Sequence, residues 1–246
     1  MKRFLIALAI LLASLLCLDC FADTYVIAVG INRYKSAPSL MVSEKDATDF
    51  ARLIKGFPKT HVTTITGRYA TRSNLVKVIS REFSKAGKDD AVILYFSGHG
   101  NSGGVVAYDS GFNNGVGLLK YSEIAKLMKK SPAKRKMIIV DSCNSGSSKM
   151  TSRGKQKHRS GDPNVVLFMS SRANESSLEY PNLGNSVFTK YLISGLSGKA
   201  DANKDRRVSA KEIFDYVSNN VRRISSGKQH PVMWGNFDQN FIITTY

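Results

Sequence analysis

Ala91-Val92-Ile93-Leu94-Tyr95-Phe96-Ser97-Gly98-His99-Gly100 is an apolar run that passes directly into a short turn of serine, glycine and histidine. Such a run, rich in aromatic and branched residues and stopped by glycine, reads as a strand buried on both faces. Met137-Ile138-Ile139-Val140-Asp141-Ser142-Cys143-Asn144-Ser145-Gly146 repeats the form, an apolar strand giving way to a Gly/Ser-rich loop. Further strand-like runs lie at 25–31, 62–66, 165–169 and 241–244. Helical patterns fall between most of them, over 43–55 with Ser43 as its cap, 72–85, 121–130, 186–196 and 209–223. Strands alternating with helices predict an α/β fold, a mostly parallel six-stranded sheet covered on both faces in three α/β/α layers. Functional loops of such sheets gather beyond the carboxyl ends of the strands, and two of those ends carry His99 and Cys143.

Cys143 stands out because of what precedes the domain. Met1-Lys2-Arg3 is a basic start, residues 4–16 are almost wholly apolar, and Cys20-Phe21-Ala22 places small residues where a signal peptidase reads. Residues 1–22 therefore read as a secretory signal cleaved before Asp23, which implies a periplasmic or extracellular protein. The apolar stretch is too short to span a bilayer comfortably, so no transmembrane anchor is expected. A lipoprotein would need a small residue before Cys17 or Cys20, where Leu16 and Asp19 stand. Cleavage leaves Cys143 as the one remaining cysteine, with no internal disulfide partner. A buried hydrophobe is the ordinary reading of a free cysteine. A strand end opening into a glycine-rich loop favours a functional thiol instead.

Residues 23–246 have the length and apolar content of one sizeable domain. Lysine and arginine number 36 against 19 acids, a formal charge of +17. That balance attracts phosphates and anionic surfaces. The basic residues are spread along the chain without interleaved aromatics, so no specific nucleic-acid recognition is expected and an anionic envelope surface is the partner the charge suggests. The segment 144–163 holds Lys149, Arg153, Lys155, Lys157 and Arg159 with no acid until Asp162. It reads as an exposed loop, and it would be a cleavable linker if the protein were a protease selective for basic residues.

A histidine between two glycines at the end of a buried strand reads as placed to be reached, because glycine lets the backbone turn sharply and gives no side-chain cover. His99 and Cys143 end two strands separated by one crossover helix, which a parallel sheet can make neighbours. Imidazole beside thiol is what a sulfur nucleophile requires, since the thiolate attacks and a proton carrier must serve the leaving group. The backbone N–H groups of Gly100 and Cys143 are candidates for holding the developing oxyanion.

At these residues the chain resembles the caspase-like cysteine peptidases, closest to metacaspases and related bacterial proteins of the caspase–haemoglobinase fold. The likeness extends over Tyr25 to Asn32, Lys45-Asp46-Ala47, Ser170-Ser171-Arg172-Ala173-Asn174-Glu175 and the helix that begins at Asn185. It implies a large-subunit-like part over 23–143 and a small-subunit-like part over 164–246. It also implies a cysteine-type endopeptidase in which His99 is the general acid/base and Cys143 the nucleophile, acting on polypeptides with no cofactor required for the chemistry. Metacaspase-like members favour arginine or lysine before the cut; Asp46 and Asp141 stand at the matching pocket positions, with Ser97 beside them. Two carboxylates suit a guanidinium better than an aspartate side chain. Each acid has a second reading, Asp141 as a loop cap and Asp46 as an ordinary helix-surface acid. The chain departs from the family at Asn144, where histidine or tyrosine is frequent.

Asp201, Asn203, Asp205 and Glu212 carry oxygen ligands at spacings of a twelve-residue calcium loop. Arg206 holds the position where glycine normally makes the turn, and Arg207 follows it. Ser209 to Glu212 is equally a helix-capping box. Calcium binding and helix capping both stand as readings of this loop. Two other functional classes also stand beside the peptidase: a catalytically silent binding scaffold of the same fold, and a polyanion-binding protein.

Overall fold

The structure is a computed structural model that describes residues 22–101, 103–111, 117–142, 164–172, 175, 184–236 and 241–246. Residues 1–21 of the signal segment read over 1–22, Cys143 and the basic segment 144–163 lie outside the described residues.

The central sheet is six-stranded, as the alternation of strands and helices requires. Its parallel strands are β1 (Thr24–Gly30), β2 (Thr60–Thr66), β3 (Ala91–Ser97), β7 (Arg135–Asp141) and β8 (Val165–Met169), closed by antiparallel β10 (Val232–Trp234) in the order β10-β8-β7-β3-β1-β2. Side chains alternate across a strand. Val92, Leu94, Phe96, Ile138 and Val140 accordingly face one core, beneath α2 (Arg72–Phe83) and α3 (Tyr121–Lys129). Ile93, Tyr95, Met137 and Ile139 face the other, beneath α1 (Ser43–Lys55), α4 (Val187–Ser194) and α5 (Ala210–Ile224). Two small sheets decorate this frame: β4 (Gly100–Asn101), β5 (Gly104–Val106) and β6 (Leu118–Lys120) form one, and β9 (Arg207–Ser209) with β11 (Ile242–Thr245) the other. No described helix is long and apolar enough to cross a membrane.

Two local expectations are corrected. The run 241–244 does form a strand, but it pairs with β9, and the sixth strand of the main sheet is Val232–Trp234. An apolar run marks a strand without naming its partner, and three residues behind Pro231 are too short to signal one. Ser43 does not cap α1 either; it is the buried first helical residue. Asn32 supplies the cap from a distance, its Oδ1 accepting from Glu44 N at 3.1 Å while its own N–H donates to Glu44 Oε1 at 3.1 Å. This reciprocal pair anchors the loop between β1 and α1 against the helix start.

Gly30 permits that junction. A Cβ there would lie 2.4 Å from the Ser43 carbonyl and 2.8 Å from Glu44 Cα, both rigid backbone. Gly30→Ala is expected to destabilise the fold by about 1–3 kcal/mol, the usual cost of overpacking. Urea denaturation would measure it, and an unchanged midpoint would contradict this packing.

Candidate active site

The sheet's carboxyl edge is tied together by main chain before any side chain contributes. Gly30 stands beside Ser97 and Ser97 beside Asp141 in register. Ile31 N donates to Ser97 O at 3.1 Å, and Gly98 N to Asp141 O at 3.1 Å. Three strand ends thus present their loops side by side.

His99 leaves β3 through Gly98, where a Cβ would fall 2.4 Å from the Tyr34 hydroxyl oxygen. The same hydroxyl accepts from His99 N at 2.7 Å, and the Tyr34 ring packs against the imidazole with centroids 4.9 Å apart. Burial drives the Tyr34 phenol pKa far up, so it stays neutral. His99 Nε2 lies 2.8 Å from the Pro38 carbonyl oxygen. A carbonyl only accepts, so Nε2 carries the proton and Nδ1 of the neutral ring keeps its lone pair. Burial holds the histidine below its ordinary pKa, with the Pro38 bond opposing. The ring is therefore more enclosed than its glycine neighbours suggest, only 8% exposed. Its cover comes from Tyr34 and Pro38, on the loop that Asn32 anchors. Neither residue was singled out from sequence; an aromatic between strand end and helix start, with a proline nearby, was the only signal.

Gly100 lies directly against the end of β7, since a Cβ on it would meet Ser142 Oγ at 2.5 Å. Val106 N donates to His99 O while His99 N goes to Tyr34, so a single main-chain bond continues the β4–β5 ladder there. Gly100, opposite Val105, is then a non-hydrogen-bonded position whose N–H turns away from β5. Ser142, the residue bonded to Cys143, is buried beside it.

Asp46 and Asp141 are brought together at the same edge. Asp46 is not a surface acid: it is 0% exposed, and its carboxylate accepts from Asn185 Nδ2 at 2.9 Å, Ser186 N at 3.1 Å and Ser97 Oγ at 3.1 Å. Burial, then the charge of Asp141, push its pKa up to about 7 against these hydrogen bonds. Asp141, 3% exposed, accepts from Ser186 Oγ and from Thr189 Oγ1 at 2.7 Å. Ser186 touches both acids while its side chain also caps α4 by accepting from Thr189 N. Asn185, Ser186 and Thr189 read from sequence only as the start of a helix, and their bonds to the two acids carry no local signal. No lysine or arginine among the described residues pairs with Asp46.

In the acidic loop, Asp201 accepts from Asp205 N and Arg206 N, Asn203 from Asp205 N, and Asp205 from Arg207 N. Arg206 takes the left-handed conformation, φ 62°, that glycine would have taken. Glu212 completes the capping box with Ser209 and also accepts from Ala202 N at 3.2 Å. Among the described residues no group of three or more histidine, cysteine or acidic side chains is placed to hold a metal ion. The capping box between Ser209 and Glu212 is formed by its own bonds.

A family model described as Caspase domain matches residues 24–242. No curated protein matches the sequence. Among solved structures, the fold is similar to the crystal structure of protein GSU0716 from Geobacter sulfurreducens, with TM-score 0.65 and 19% identity over 91% of this chain and 97% of that one. At that identity the likeness concerns the fold alone.

Proposed function

Since this chain belongs to the caspase domain family, a family of cysteine peptidases acting on polypeptides, we propose that it is an exported endopeptidase that cuts after arginine or lysine with a His99/Cys143 dyad. The observation that carries the reading is the His99 imidazole, its Nε2 proton committed to the Pro38 carbonyl at 2.8 Å and its loop packed against Ser142, the neighbour of Cys143.

The chemistry follows from that tautomer. His99 Nδ1 takes the Cys143 thiol proton as the sulfur attacks the scissile carbonyl. The oxygen then gains charge, and the N–H groups of Gly100 and Cys143 stabilise it. As the C–N bond breaks, His99 returns the proton to the leaving amine and a thioester remains. Water attacks that thioester, giving its proton to His99, and the released sulfur regains it.

Asp46 supports the basic preference. A buried carboxylate with neutral hydrogen-bond partners and no cation among the described residues is electrostatically incomplete. An arginine or lysine side chain would discharge it, with Asp141 and Ser97 alongside. Export rests on residues 1–22, and contact with an anionic envelope on the net charge. Calcium at Asp201, Asn203, Asp205 and Glu212 belongs to the proposal only as a regulator to be tested.

The test is release of fluorophore from Arg-, Lys- and Asp-ended peptides by protein beginning at Asp23, with and without calcium, beside Cys143→Ala. Cleavage after Arg and Lys that disappears in Cys143→Ala is expected. Cleavage that survives the substitution, or a preference for Asp, would overturn the mechanism or the pocket respectively. No cleavage at all would leave the silent scaffold.

A further inference from the structure

We propose that Ser170 is a positioning residue, whose hydroxyl sets the direction of the peptide bond leaving Ser142 and thereby the N–H offered to the oxyanion. This rests on the peptidase reading above.

The paired register of β7 and β8 ends at Val140 opposite Met169, and Ser170 N extends the pairing by donating to Val140 O at 2.9 Å. Beyond that point a side chain takes over from the main chain. Ser170 Oγ accepts from Ser142 N at 3.2 Å and donates to Ser142 O at 3.3 Å. A hydroxyl has one proton and two lone pairs, so both bonds hold at once. Ser142 is thus gripped on both of its backbone groups by one atom that belongs to the neighbouring strand's exit.

Ser170 is itself held. Its carbonyl accepts from Gln229 Nε2 at 2.9 Å, and Gln229 N donates to Ser225 Oγ at 3.1 Å. Ser170 and Gln229 are both 0% exposed. Burying an amide and hydroxyls in series is costly unless every bond is made, and apolar residues would fill the space more cheaply. The chain of bonds from the end of α5 to the end of β7 therefore calls for a role beyond filling.

Peptide planarity supplies that role. A trans peptide holds its N–H opposite its C=O, so fixing the Ser142 carbonyl fixes the N–H across the same bond. That N–H belongs to Cys143 and is one of the two proposed oxyanion donors. Hydrogen bonding at the carbonyl also polarises the peptide and strengthens the donor.

The experiment compares Ser170→Ala with the parent in kcat and KM for an Arg-ended peptide, in inhibition by a peptide aldehyde ending in arginine, and in alkylation of Cys143 by iodoacetamide. An oxyanion donor is worth about 10²–10³ in kcat, so misdirecting one is expected to cost about tenfold or more, with KM little changed. The aldehyde adduct carries an oxygen where the oxyanion forms, so its affinity should fall in step. Alkylation forms no oxyanion and should keep its rate. Ser170→Thr, which restores the hydroxyl, should recover most of kcat. Should Ser170→Ala prove unfolded by its melting curve, Gln229→Met is expected to show the same pattern in weaker form, and unchanged kcat there would overturn the inference. A loss shared by alkylation, or one confined to KM, would also overturn it by indicating general loosening. If the parent cleaves and Ser170→Ala cleaves equally fast, only this inference falls; if the parent does not cleave, the peptidase reading falls and takes it along.

Discussion

His99→Ala is expected to lower kcat/KM on Arg- and Lys-ended peptides by about 10³-fold or more, because the variant loses both the base for the thiol and the acid for the leaving amine. The fold should survive. Alanine gives up the Nε2 bond to Pro38 but retains the backbone bond from the residue 99 N–H to the Tyr34 hydroxyl. The pH dependence gives an independent check. Burial holds the folded His99 below its ordinary pKa, so the folded state binds fewer protons than the unfolded chain as pH falls through the ordinary histidine range near 6.5. Stability should therefore drop with acidification there in the parent, and drop less in His99→Ala. For activity the same depression keeps the imidazole neutral into mildly acidic solution, so the acid limb of kcat/KM should lie below that of an exposed histidine. Wild-type rates from His99→Ala would remove the dyad.

Asp46→Asn should lower kcat/KM for Arg- and Lys-ended peptides by about a hundredfold, mostly through KM, in line with the loss of one member of a buried charge pair. Peptides with uncharged residues before the cut should be little affected. Asparagine keeps Oδ1 to accept from Asn185 Nδ2 and Ser186 N, and its new Nδ2 can donate to Ser97 Oγ, so the hydrogen bonds can be remade and only the charge is lost. Stability provides the second readout. The carboxyl titrates at about 7 when folded, above its ordinary value of 3.8. A raised pKa means that the folded state holds the proton more tightly, so this contribution is full below 3.8 and is lost as pH rises through about 7. The parent should lose stability across that window, and Asp46→Asn should flatten the slope. Unchanged KM with a flattened slope would mean that the acid is structural and that the specificity lies elsewhere.

Much of the frame was legible because it is local. The run from Ala91 to Phe96 announces a fully buried strand by composition alone, and its odd and even residues do face two cores. The capping box at Ser209 and Glu212 is likewise contained within four residues and forms as read. The strand at 241–244 was recognised and misplaced, since its β9 partner Ser209 is specified by tertiary packing rather than by its own pattern. Asp46 is singled out only by the family resemblance; by its own pattern it reads like Glu44 and Asp49, three acids on one helix. Its burial is a tertiary matter, set by the approach of Ser186 and Asn185 from 140 and 139 residues away.

The sequence by itself therefore determined the order of strands and helices and the placing of His99 just beyond the end of β3, because periodicity and glycine punctuation act within a few residues. Tertiary structure decided which polar groups meet: Pro38 with His99 across 61 residues, Ser170 with Ser142 across 28, and the two buried acids with one serine. Sheet order and register set those encounters. They arise from burial of the whole apolar pattern at once, and no single segment encodes them.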